Sequence, residues 1–106
     1  MTSPHTVIMT TTDNPDEAKS LARSLVEAKL AACVQVIPIT SHYSWEGSLE
    51  ESGELLLLIK TTAGRYDDVE QFLKNKHSYD TPEIVQVPIT GGSSAYLGWI
   101  DKNTAD

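Results

Sequence analysis

Hydrophobic and polar residues alternate along this chain in segments of different period. His5–Thr12 (HTVIMTTT) is rich in β-branched residues and holds no breaker, so it reads as a first strand. The spacing then becomes helical. Ala18, Leu21, Ala22, Leu25 and Ala28 share one face, and Lys19, Arg23 and Glu27 the other. Asn14 suits the N-cap and Pro15 the first helical position, while Glu17, three residues after the cap, is placed to close a capping box. This helix is expected to end near Leu30. Ala31–Tyr43 (AACVQVIPITSHY) is β-type again, with Pro38 marking an edge strand, a bulge or both. Trp45-Glu46-Gly47-Ser48 reads as a turn. Glu54–Thr61 (ELLLLIKT) is a continuous apolar run bounded by charge, the signature of a strand buried on both faces. After a break at Gly64, the residues Tyr66, Val69, Phe72 and Leu73 predict a second helix ending near His77. Ile84–Ile89 predicts a fourth strand containing Pro88. Gly91-Gly92 break the chain, and Ser93 or Ser94 can cap a short third helix carrying Tyr96, Leu97, Trp99 and Ile100.

The order strand, helix, strand, strand, helix, strand, helix predicts an α+β fold. It is the βαββαβ pattern of a ferredoxin-like sandwich with an extra C-terminal helix, one domain spanning residues 1–106. Right-handed crossovers would place the first two helices on one face of a four-stranded antiparallel sheet and leave the other face bare. A bare face carrying leucines of the ELLLLIK strand would be a large apolar patch. The expected resolution is an oligomer with that face in the contact.

Composition narrows the function classes. Eight basic and fifteen acidic residues give a net charge of −7, which disfavours phosphate backbones as partners. The central strand also lacks the exposed aromatics of an RNA-reading sheet, so no nucleic-acid partner is expected. The longest uninterrupted apolar run, Leu55–Ile59, is far short of a membrane span, so no membrane partner is expected either. Residues 1–20 show no secretory pattern, and Cys33 is the only cysteine; together these point to a reducing compartment, most simply the cytoplasm. No nucleophile–base pair stands out. Arg23 and Arg65 lie outside any glycine-rich loop, and Gly91-Gly92-Ser93 is as much an ordinary cap as an anion cradle. A non-enzymatic protein is the expectation.

The candidate chemistry concentrates in His77–Ile84 (HSYDTPEI). Pro82 forces Thr81 to be extended, and Asp80 can close an Asx turn. His77 is either a cation at a helix C-terminus or a ligand contact at a subunit cleft. Tyr79 and Glu83 are free to face such a cleft. Lys60, at the end of the apolar strand, either snorkels to solvent or pairs with Glu83 or Glu54 of a neighbour. Trp45 and Trp99 suit interface or core anchors, Cys33 a small buried residue, and His42 a surface or interface position.

Five segments, in this order and spacing, carry a resemblance: LAAC (Leu30–Cys33), YSWEG around Trp45, ELLLLIKT, HSYDTPEI and YLGWI (Tyr96–Ile100). Across nearly its whole length the chain resembles the CutA family, the divalent-cation tolerance proteins. The resemblance implies a ferredoxin-like subunit in a tight homotrimer, with strands pairing across subunits and the two prolines where long strands bend. That architecture is similar to the PII signalling proteins, which keeps a trimeric signalling or protein-interaction module binding a small ligand as the alternative. The resemblance also implies copper or other divalent-metal tolerance without catalysis, and no required cofactor. His77 is the metal candidate, Cu(II) or another divalent cation the ion, and Trp45, Lys60, Tyr79 and Glu83 the cleft residues. Since animal and plant members carry leader sequences, a bacterial-type cytoplasmic member is expected. Three positions depart from the pattern. Thr10 stands near the place of a cysteine, Lys76 replaces the first of two histidines, and Ser78 replaces a proline. Soft Cu(I) prefers thiolate and Cu(II) several imidazoles, so His77 alone is an incomplete copper set.

Overall fold

A computed structural model describes residues 3–106. The chain runs β1 (His5–Thr12), α1 (Pro15–Glu27), β2 (Cys33–Trp45), β3 (Ser48–Thr62), α2 (Tyr66–Lys76), β4 (Val85–Ile89) and α3 (Ser94–Asn103). A 3-10 turn at Ala63–Arg65 leads into α2. The strands form one antiparallel sheet in the order β2-β3-β1-β4. The described residues are thus mixed α+β, with one four-stranded sheet and three α-helices.

The helix-facing side of the sheet holds the core. Ile8 of β1 and Leu57 and Ile59 of β3 pack against Ala18, Leu21 and Leu25 of α1 and Val69 and Leu73 of α2. Ile8 lies opposite Ile59 in the ladder, so the two stack on the same face. Burying each such side chain fully contributes roughly 1.5–3 kcal/mol. Both expected helix caps form: Asn14 Oδ1 accepts from the N–H groups of Asp16 and Glu17, and Ser93 Oγ accepts from Tyr96 N–H. The capping box does not close. Thr12 Oγ1 accepts the Asn14 N–H at 3.2 Å in place of Glu17, which leaves the Glu17 carboxylate free for other partners.

β2 is an edge strand, and so Pro38 costs no ladder bond on its outer side. It is not bulged: the pairing runs unbroken from Cys33↔Lys60, through Pro38↔Leu55, to Trp45↔Ser48. The two-residue loop Glu46-Gly47 has φ of 50° and 81°, the positive angles of a type I′ hairpin turn. β3 starts at Ser48, earlier than the apolar run suggests. β1 covers β3 only from Leu55 onward. The pairs from Ile39↔Glu54 to Trp45↔Ser48 therefore project as a bare two-stranded arm about 20 Å long, at ~3.3 Å per residue.

The second face of the sheet is not wholly bare. α3 covers the end where β1 begins and β3 ends. Ile100 is fully buried there, the His5 imidazole is 2.8 Å from Asp101 Oδ1, and Arg65 donates to the Thr104 carbonyl from Nε and Nη2 at 3.1 and 2.7 Å. The rest of this face stays open. β3 is therefore fully buried on one side only: Leu57 and Ile59 are inaccessible, while Leu56 and Leu58 remain half-buried. Ile37, Val85 and Val87, on the same open face, are 42, 44 and 47% exposed.

Candidate functional site

The segment after α2 docks on the junction between β1 and α1. His77 is the C-cap residue of α2, its N–H donating to the Leu73 carbonyl at 2.9 Å. Its ring turns inward and its side chain is inaccessible to solvent. Nε2 lies 2.7 Å from the Thr11 carbonyl, and Nδ1 accepts the Tyr79 N–H at 3.0 Å. A carbonyl can only accept and an amide N–H only donate. These partners assign the neutral ring with its proton on Nε2. His77 is therefore not the solvent-facing cation that a helix end suggests. A metal ion here would have to displace the Thr11 carbonyl or the Tyr79 amide.

Beside it lies the carboxylate of Glu17, whose spacing from Asn14 suits a capping box. Glu17 accepts from Thr12 Oγ1, from Ser78 N–H at 2.9 Å and from Ser78 Oγ at 2.9 Å. Its side chain is 14% exposed. Burial pushes its carboxyl up, but the hydrogen bonds from Thr12 and Ser78 outweigh this and hold it below the ordinary glutamate value. His77 Nδ1, 3.9 Å away, adds attraction only if the ring is protonated.

Tyr79 continues the chain of contacts. Its ring packs at 4.8 Å from the His77 ring, and its hydroxyl donates to Glu54 Oε2 at 2.8 Å. Burial, the Glu54 hydrogen bond and the Glu54 and Asp13 charges all push the phenol well above the ordinary tyrosine range. Glu54 lies where β3 leaves the cover of β1 and the arm begins.

The other sequence candidates stand apart from this cluster within one chain. Trp45 is at the arm tip, 62% exposed. Lys60 is six residues along β3 from Glu54, about 20 Å at strand spacing, and its Nζ sits 5.4 Å over the Tyr96 ring. Tyr96 in turn stacks on Trp99, both being exposed on α3. Glu83 is exposed just before β4. Cys33 is half-buried opposite Lys60 rather than enclosed. His42 is exposed on the arm, 3.5 Å from Glu51. Thr10 is inaccessible, and its hydroxyl has no hydrogen-bond partner among the described residues. Among the described residues, no three His, Cys, Asp or Glu side chains gather as a metal site, and no helix is long and apolar enough to cross a membrane.

Two grooves flank the cluster. One, of about 440 Å³, runs between α1 and α2 and is lined by Glu17, Ser20, Leu21, Ser24, Phe72 and Lys76 among others. The other, also about 440 Å³, is lined by Glu70, Lys74, Asp80, Thr81, Pro82 and Ile84. Glu70 is already engaged there, accepting from Tyr66 Oη at 2.8 Å and pairing with Lys74 Nζ at 3.1 Å. Sequence reasoning gives Glu17 only a capping role and misses its tie to Ser78 and the clamps made by His5 and Arg65. Their partners lie 61, 96 and 39 residues away, beyond any local pattern.

Comparison with known proteins gives these residues a family. The family model described as CutA1 divalent ion tolerance protein matches residues 6–103. The divalent-cation tolerance protein CutA of Thermus thermophilus is 42% identical over 99 residues, covering 92% of this chain and 96% of that protein. The chloroplastic protein CutA of Arabidopsis thaliana is 42% identical over 104 residues, 97% of this chain; the chain spans only 57% of that relative's length. Among solved structures, CutA1 from a psychrotrophic Shewanella superposes with a TM-score of 0.95 at 37% identity, covering 100% of both chains. The periplasmic divalent cation tolerance protein CutA of Archaeoglobus fulgidus superposes with a TM-score of 0.93 at 39% identity, over 95% of this chain and 99% of that one. Sequence, fold and coverage agree, and the chain belongs to the CutA family of divalent-cation tolerance proteins.

Proposed function

We propose that this protein is a non-catalytic divalent-cation tolerance protein. It acts as a homotrimer of ferredoxin-like subunits and takes a divalent cation, Cu(II) among the candidates, in clefts between subunits. The strand order, read from the other edge as β4-β1-β3-β2, is that of a ferredoxin-like sandwich and supports the subunit reading. The observation that carries the assembly is the bare arm. A two-stranded ribbon is marginal in water by itself, yet this one ends in Trp45 and Leu49, 62 and 81% exposed, and continues into the open sheet face. Neighbouring subunits are the simplest cover for both.

The assembly also accounts for the dispersal of Trp45, Lys60, Tyr79 and Glu83. Strands pairing across subunits would carry one subunit's arm tip toward another's Tyr79 and Lys60. In this reading Tyr79 and Glu54 present a phenol and a carboxylate to the cleft. His77 either supports Tyr79 from behind or gives up one of its two hydrogen bonds to hold the ion. The test combines native mass with calorimetry of Cu(II) and Zn(II) on the wild type, His77→Ala and Tyr79→Phe. The expected outcome is a mass three times 11.6 kDa and weaker cation binding in Tyr79→Phe. A monomer at micromolar concentration, or equal binding by all three proteins, refutes the reading.

A further inference from the structure

We propose that Glu17 is a positioning residue for the cleft: its carboxylate fixes Ser78, and the turn so held aims the Tyr79 phenol at Glu54. The inference rests on the reading of Tyr79 as a cleft residue and adds the device that holds it. Glu17 is free for this work, because helix α1 starts without it. Asn14 Oδ1 takes the first helical N–H groups, and Thr12 Oγ1 takes the Asn14 N–H.

The carboxylate meets donors on both oxygens. Thr12 Oγ1 and Ser78 Oγ donate to Oε1, and Ser78 N–H donates to Oε2. Holding both the amide and the hydroxyl of Ser78 fixes that residue's backbone and its rotamer together. The residues on either side are then constrained. His77 is anchored to the Thr11 carbonyl, and the Tyr79 N–H returns to His77 Nδ1. From this anchored backbone the Tyr79 hydroxyl reaches Glu54 Oε2 at 2.8 Å. Asp80 and Thr81, just past this knot, are exposed, so Glu17 is one of the points, with the Thr11 carbonyl and Glu54, where the segment after α2 is tied down. An amide in place of the carboxylate has one accepting oxygen instead of two: it can keep the Ser78 N–H only by turning its NH₂ to the Ser78 and Thr12 hydroxyls, which must then reverse and accept. The charge-assisted bonds would weaken as well.

The test uses the 106-residue, ligand-free chain labelled with ¹³Cζ-tyrosine. Tyr79→Phe assigns the Tyr79 resonance, and Glu54→Gln gives the shift that follows loss of the charged acceptor. Glu17→Gln and Ser78→Ala are expected to move the Tyr79 resonance in the same direction, by at least half as much. Ser78→Thr, which keeps both donors, is expected to restore the wild-type position. The Tyr66 resonance, whose hydroxyl bonds Glu70, should stay in place throughout. A folded Glu17→Gln protein with an unmoved Tyr79 resonance overturns the proposal. If Glu17→Gln does not fold, Ser78→Ala decides by the same criterion, since Ser78 is exposed and its backbone donor is retained. The cleft reading fails separately, if Tyr79→Phe binds Cu(II) and Zn(II) as the wild type does, and the ligand-free spectra do not depend on that result.

Discussion

Thr10 and Thr61 lie within the same buried layer of the sheet, and replacing each with valine should move stability in opposite directions. Both are fully inaccessible and both face the helices, Thr10 opposite Leu57 and Thr61 opposite Thr6. Thr61 Oγ1 donates to the Leu30 carbonyl at 2.7 Å, tying β3 to the end of the α1 connection. Thr10 Oγ1 has no partner among the described residues. A buried polar group left unsatisfied costs about 1–3 kcal/mol. Exchange of the Thr10 hydroxyl for a methyl of similar size removes that cost and adds apolar contact with the Ile8–Leu57–Ile59 layer. Thr10→Val should therefore stabilise by about 1 kcal/mol. Thr61→Val leaves the Leu30 carbonyl without its donor and should destabilise by roughly 1–3 kcal/mol. For a chain of this size each kcal/mol corresponds to roughly 4–8 °C in Tm. Urea unfolding at matched protein concentration is the cleaner assay, because assembly makes Tm concentration-dependent and an unchanged slope would show that the unfolded state is unaffected. A neutral or destabilising Thr10→Val would refute the reasoning, since it would mean that the hydroxyl has a partner such as a buried water or an ion.

Two further outcomes follow from single sites. Gly47 has φ of 81° with nothing within 4 Å of an added Cβ; Gly47→Ala should thus cost about 1 kcal/mol from backbone strain alone, read by urea unfolding, and a loss above ~3 kcal/mol would mean that the turn makes contacts beyond its own backbone. Glu17 ionises below the ordinary glutamate value near 4.5, so its contribution is fully present above pH 4.5 and is lost as pH falls through the lower folded value. The stability gap between wild type and Glu17→Gln should accordingly be constant above pH 4.5 and shrink below it; a gap that widens on acidification would show that the carboxylate is not held ionised.

Much of the fold was legible because its signals are local. The caps at Asn14 and Ser93, the turn at Glu46-Gly47 and the helical spacing of Leu21 and Leu25 each act within a few residues, and the described elements follow them closely. Strand limits were less legible. β3 extends back to Ser48 because the arm residues pair with β2, a cross-strand fact that the mostly polar Ser48–Gly53 cannot announce. The capping box illustrates the limit most sharply. Asn14 and Glu17 have the right spacing, but Thr12 competes for the same N–H and wins by proximity, two residues away.

The site itself was legible only as a list of chemically able residues, because what joins them is tertiary. His77 reads as a helix-end cation until the Thr11 carbonyl and the Tyr79 amide claim its two nitrogens. Tyr79 reads as a free cleft residue until Glu54, 25 positions earlier, takes its hydroxyl. These bonds lie where β1 ends, α1 begins and β3 emerges from its neighbour. Such a junction can hold side chains in a fixed pose at the edge of an open face without spending core positions on them. On the positioning role proposed for it, the half-buried Glu17 would fix the pose of Tyr79 from behind through Ser78.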